Sequence, residues 1–147
     1  MDDTESRPEL AHAALQTIRT VFRRHPALTD ITGHPHNSLY TELRATVRPT
    51  YIGSSEADGT LTVRWFVSND PRPPQFTFHY ADTVGFEFGW HHHPQEHVEG
   101  WGHTQSRTSE SEYTYESFEF DSIEPVRVAW TVCTELEQLL IQKSKDH

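Results

Sequence analysis

Between residues 38 and 90, apolar side chains recur at every second position in four successive runs, with only short reversals and no helical stretch between them. Period-two patterning marks strands with one buried face. Short reversals restrict such strands to antiparallel pairing, because parallel neighbours need a crossover of a dozen residues or more. The first run, Ser38 to Ile52, sets Leu39, Leu43, Ala45, Val47 and Tyr51 against Glu42, Arg44, Thr46 and Arg48. Asp58-Gly59 then turns the chain into Thr60 to Ser68, where Leu61, Val63, Trp65 and Val67 alternate with Thr62 and Arg64. Pro71, Pro73 and Pro74 have no N–H to give a ladder, so pairing stops until Gln75 to Tyr80, with Phe76, Phe78 and Tyr80 on one face and His79 on the other. Val84 to Trp90, with Phe86 and Phe88 between Gly85, Glu87 and Gly89, is the fourth run.

Helical patterns flank these runs. Ser6 and Glu9 have the spacing of a capping box, Pro8 lies in the first turn, and Leu10, Ala14, Ile18, Val21 and Phe22 share a face, predicting a helix from Ser6 to Arg24. His25-Pro26 ends it, and the chain to Asn37 reads as a loop. Residues 104–112 read as a polar loop and Tyr113 to Phe120 as a weak strand or aromatic arm. Asp121 or Ser122 caps a last helix starting near Pro125, with Val126, Ala129, Val132, Cys133, Leu136, Leu139 and Leu140 at helical spacing. The expected fold is α+β: an N-terminal helix, an antiparallel sheet of about four strands, and a C-terminal helix packed on one face. Residues 1–147 form a single domain, because this length suits one core and the 12% of aromatic residues offset a hydrophobic fraction of 34%.

The net charge is −10, and lysine occurs only at Lys143 and Lys145. An acidic, lysine-poor chain suits a high-salt, halophilic cytoplasm, where carboxylates hold water and repulsion is screened. Acidity does not exclude nucleic acid there, since high salt already suppresses counterion-driven binding and local arginines decide. The lone Cys133 excludes an intramolecular disulfide and a zinc ribbon, and its apolar helical neighbours point to an inert buried thiol. The acidic start MDDTESRPEL does not read as a secretory signal and no run of about 18 apolar residues offers a membrane span, so the expectation is a cytoplasmic chain with no membrane partner.

The chemistry is concentrated between Trp90 and His103, where WHHHPQEHVEGWGH holds five of the eleven histidines. Imidazole titrates near neutrality and is the commonest metal ligand, so the cluster suits proton transfer, metal binding or phosphate contact. In an extended segment His91 and His93 share a face opposite His92. His91, His93 and His97 are then a candidate zinc set, with His103 as another third ligand and His79 within conceivable reach. Without metal, phosphodiester cleavage needs a base, an acid and cations for the phosphorane. His93 and His97 are the candidates, with His103 as alternate and Arg107, Arg64 or Arg44 at the phosphate, while Trp90 and Trp101 could stack on bases. Structural roles compete at each position. His92 and His93 can bond loop carbonyls, the two tryptophans can cap the core, and Arg44, Arg48 and Arg64 can pair with acidic neighbours. Glu96 and Glu99 read as solvated, and Gly85, Gly89, Gly100 and Gly102 form no phosphate-loop pattern.

The run FTFHYADTVGFEFGWHHHPQEHVEGWGH, followed by a closing helix, resembles the TumE-type toxin family of prokaryotic toxin–antitoxin systems. The matching positions are His79 and Tyr80 in the strand, then His91, His92, His93, Pro94 and His97; Gln95-Glu96 stand where that family's segment carries a lysine. The chain also looks like acidic haloarchaeal proteins of its length, and its helix before an antiparallel sheet is similar to barnase- and RelE-type ribonucleases. The resemblance implies a toxin acting on RNA, possessing a cognate antitoxin as partner. The alternatives from other classes are a non-catalytic interaction module with a structural or metal-binding loop, and a small metal-dependent hydrolase, with zinc as the cofactor of the metal reading.

Overall fold

The computed structural model describes residues 3–96 and 98–146, with side chains from Arg7 onward. Helix α1 spans Asp3–Phe22, so it begins ahead of the expected Ser6 cap and takes Pro8 inside it; the Ser6 side chain lies outside the described residues. Ala14, Leu15, Ile18, Val21 and Phe22 form its buried face, whereas Leu10 is 45% exposed and does not belong to the stripe.

The sheet has seven strands rather than about four: β1 (Leu28–His34), β2 (Glu42–Val47), β3 (Gly59–Phe66), β4 (Gln75–Asp82), β5 (Glu87–His92), β6 (Gly102–Arg107) and β7 (Thr114–Ser117). They lie in chain order and every neighbouring pair is antiparallel. Three departures from the sequence pattern have physical causes. Strand β1, expected as loop, is an edge strand whose register shifts between Thr29 and Thr32, with Asp30 at φ 50°, so its alternation is broken. Strand β2 is shorter than Ser38 to Ile52 because Pro49–Ile52 wind into a 3₁₀ turn closed by Gly53 at φ 80°, leaving Tyr51 60% exposed. Strand β6, GHTQSR, expected as loop, contributes no residue to the hydrophobic core and needs no apolar alternation.

The core fills the space between one sheet face and the helices. Leu61 opposes Tyr80, Val63 opposes Phe78 and Trp65 opposes Phe76, all buried. The Trp65 and Phe76 rings stack at 4.5 Å, and Phe22 of α1 meets Phe78 edge-on. Each such buried side chain contributes about 1.5–3 kcal/mol relative to exposure. Helix α2 (Pro125–Lys145) buries Val128, Ala129, Val132, Cys133, Leu136 and Leu140 against α1 and the sheet. Its N-cap is Glu124, with no side-chain cap bond, rather than Asp121 or Ser122; the Ser122 hydroxyl instead accepts the Glu124 N–H at 3.0 Å. No helix among the described residues is long and apolar enough to cross a membrane.

Candidate metal centre

Strand alternation assigns the histidines to opposite faces. On β5, Phe88, Trp90 and His92 turn toward the core, while Glu87, Gly89 and His91 turn outward. The register makes one outer row across five strands: Arg64 opposes Thr77, Thr77 opposes His91, His91 opposes His103, and His103 opposes Ser117. His93 follows β5 on the same side, where its N–H donates to the Trp101 carbonyl at 3.0 Å and holds the start of the loop to its end.

Three imidazoles converge there. His91 Nδ1 lies 3.2 Å from His93 Nε2. The His91 and His103 rings stack at 4.9 Å with 20° between planes, and His93 stands edge-on to His103 at 4.9 Å. One ring nitrogen from each of the three lies within 4.8 Å of the others. His93 Nδ1 is 2.9 Å from the Pro94 carbonyl and His103 Nδ1 is 3.4 Å from the Trp101 carbonyl, so in both rings Nδ1 donates and Nε2 keeps its lone pair. Two nitrogens, His91 Nε2 and His103 Nε2, are buried without a hydrogen-bond partner. Burial first, then repulsion from His103, His93 and His79, pulls the His91 pKa down to about 3. His103 is lowered as well, by burial and then by His93. His91 is therefore neutral at physiological pH, with a lone pair to offer.

Gly89 gives this arrangement its room. A Cβ built there would stand 2.5 Å from His91 Nε2, so the His91 ring lies back over the glycine. A residue with a side chain would occupy the space the ring uses.

His97 lies outside the described residues; among the described residues, the third histidine beside His91 and His93 is His103. The remaining expected residues have other partners. Arg107 is four residues along β6 from His103, roughly 13 Å at about 3.3 Å per residue, and is bound by Glu87 at 2.7 Å. Glu87 also takes a bond from Tyr113 at 2.8 Å and faces His79 Nε2 at 3.0 Å. His92 stacks on Phe76 at 4.9 Å and gives Nδ1–H to the Pro74 carbonyl at 2.8 Å, a structural role. Trp90 is buried in the core and offers no ring to a base, while Trp101 lies beside His92. Arg44 and Arg64 both hold Glu42, and Arg48 pairs with Asp30 and Asp58. Glu96 and Glu99 are exposed. Cys133 is buried and its thiol is pushed up to about 12 by burial, as expected of an inert group.

Sequence reasoning placed His103 only as an alternate because it read residues 104–112 as loop. The usable signal was the return of histidine after the glycines at 100 and 102, a spacing that lets a second strand bring His103 opposite His91.

Beside the centre, a cavity of about 680 Å³ opens between the N-terminal half of α1, the β1–β2 loop and the adjoining ends of β3 and β4, and His93 lines it. No family model matches the chain, and comparison with curated proteins and with solved structures finds no match.

Proposed function

We propose that the protein is a small metal-dependent hydrolase of RNA phosphodiesters, with His91, His93 and His103 as ligands of a zinc-type ion. The observation that carries this reading is the convergence of three ring nitrogens within 4.8 Å. Ligand nitrogens about 2.0–2.1 Å from a tetrahedral ion stand roughly 3.3–3.5 Å apart. The 3.2 Å between His91 and His93 meets that requirement, and the His103 ring, stacked on His91 with 20° between planes, would tilt to bring its nitrogen in from within 4.8 Å. Metal-bound histidines usually donate their other N–H to a carbonyl or carboxylate, which is how Pro94 and Trp101 hold His93 and His103. Imidazole donors suit zinc, copper, nickel or iron rather than magnesium or calcium. Three protein ligands leave a position at which such an ion activates water and polarises a phosphoryl oxygen. Arg64, in the same cross-strand row, is the cation nearest in register for a phosphate.

A TumE-like toxin paired with an antitoxin is the setting in which we read this activity. The resembling residues His79 and Tyr80 lie on β4, directly beside the β5 strand that carries His91. Ile123 just before α2 and Val126 and Trp130 near its start remain 41%, 42% and 41% exposed, apolar groups suited to a protein partner.

Elemental analysis of purified protein tests the centre. About one equivalent of transition metal is expected, lost on chelation and in His91→Ala and His103→Ala proteins that keep their circular dichroism. RNA cleavage and growth arrest on expression should fall with it. Full RNA cleavage by metal-free protein would overturn the metal and favour an acid–base pair drawn from His93 and His103.

A further inference from the structure

We infer that the cavity beside the histidines binds a nucleotide unit, with its ring against the aromatic wall and its phosphate directed to Arg7 and Arg64. This rests on the hydrolase reading and names the part of the substrate that the site would hold.

Charge selection points to an anion. The chain carries 22 acidic residues against 12 basic ones, yet no carboxylate lines the cavity among the described residues, and both charged side chains that do are arginines. Arg7 Nε is buried without a hydrogen-bond partner. A buried donor without a partner is destabilising, and an arriving anion would relieve it. Arg64 spends Nε and Nη2 on Glu42, while its side chain remains 72% exposed. Arginine forks suit phosphate oxygens better than single-point donors do.

Shape points to a planar ring. Tyr40, Trp65, Phe66 and Phe76 all border the cavity; Trp65 and Phe76 are buried and stacked on each other, so the ring face open to a ligand is that of Phe66, 58% exposed on the same outer face as Arg64. Ring stacking on such side chains is tolerant of base identity. Asn69, Gln75 and Thr77 add polar groups for a base edge. A volume of about 680 Å³ is ample for one nucleotide and sits within the usual range of small-molecule sites.

Position connects the cavity to the chemistry. His93 belongs both to the cavity wall and to the histidine trio, so a phosphate seated near it would lie beside the ion. Thr77 lines the cavity and is the cross-strand partner of His91.

The test is calorimetric titration of the full chain with adenosine monophosphate, adenosine and inorganic phosphate, alongside elemental analysis of the same samples. Saturable binding of the nucleotide, at least tenfold tighter than of nucleoside or phosphate, is expected. Arg7→Gln should weaken the nucleotide about tenfold while leaving adenosine and metal content unchanged, and Phe66→Ala should weaken nucleotide and nucleoside alike. Absence of saturable nucleotide binding in protein that holds its metal would overturn the inference and leave the metal centre standing. Nucleotide affinity unchanged in both folded variants would overturn it too. Tight, Arg7-dependent binding by protein that holds no metal would support the cavity and sink the metal reading instead.

Discussion

His92 and His103 sit on neighbouring strands and do different work, because alternate side chains leave a strand on opposite faces. His92 lies on Phe76 and bonds the Pro74 carbonyl, so truncation removes a stack and orphans a carbonyl. His92→Ala should lower stability by about 1–3 kcal/mol in urea unfolding while leaving bound metal unchanged. His103→Ala removes a buried ring whose Nε2 has no hydrogen-bond partner, and it should abolish metal binding. Metal lost in the first protein and kept in the second would reverse the assignment. Gly89 supplies a finer test at the same scale. Its absent Cβ is the space beneath the His91 ring, which has His103 stacked on it and cannot move without leaving the trio. Gly89→Ala should weaken metal affinity at least tenfold in a chain with unchanged secondary structure, measured by competition with a chromophoric chelator.

At the scale of elements, the outer face of β2 and β3 is tied by Glu42, which takes bonds from Arg44 of its own strand and Arg64 of the next. Burial alone would raise the Glu42 carboxyl, but the bonds and charge of the two arginines outweigh it and hold the group below its ordinary value of 4.5. A carboxyl depressed on folding stabilises the fold above its unfolded value, and that contribution fades as pH falls through the depressed one. Glu42→Gln should therefore lower stability near neutrality by about 1 kcal/mol, a modest figure because both arginines are exposed and screened. The gap from the unsubstituted chain should close as pH drops below 4.5 in a series of denaturant titrations, and a gap that widens in acid would contradict the assignment. The same elements show what the sequence exposes. Strands β3, β4 and much of β5 are legible because one face of each lies in the hydrophobic core and they must alternate apolar and polar residues. Strands β1 and β6 are not, the first because a bulge shifts its register and the second because it adds no residue to the hydrophobic core and carries Thr104 and Ser106 where a core strand would carry valine. The site inherits this limit. His91 and His93 could be placed on one face from spacing alone, whereas His103 required the pairing of β6 with β5, a contact between strands that no local pattern encodes.

For the whole molecule, the centre couples to stability through its position. The three proposed ligands come from β5, its exit and β6, so an ion held by all three would join the two ends of the intervening loop and favour the folded chain. A ligand specific to the folded state stabilises by about 2.7 kcal/mol at a free concentration a hundred times its Kd. In a domain of this size each kcal/mol moves the midpoint by about 2–4 °C. Zinc should accordingly raise the thermal midpoint by about 5–10 °C, whereas magnesium, which prefers oxygen ligands, should leave it in place. Histidines in the unfolded chain also bind zinc and would reduce the shift, so the decisive comparison is between proteins of nearly equal histidine content. His103→Ala should lose the zinc-dependent rise, and His92→Ala, with the same number of imidazoles, should keep it from a lower starting midpoint. Equal rises in the two variants, followed by differential scanning calorimetry over a zinc series, would mean that the ion binds away from the trio.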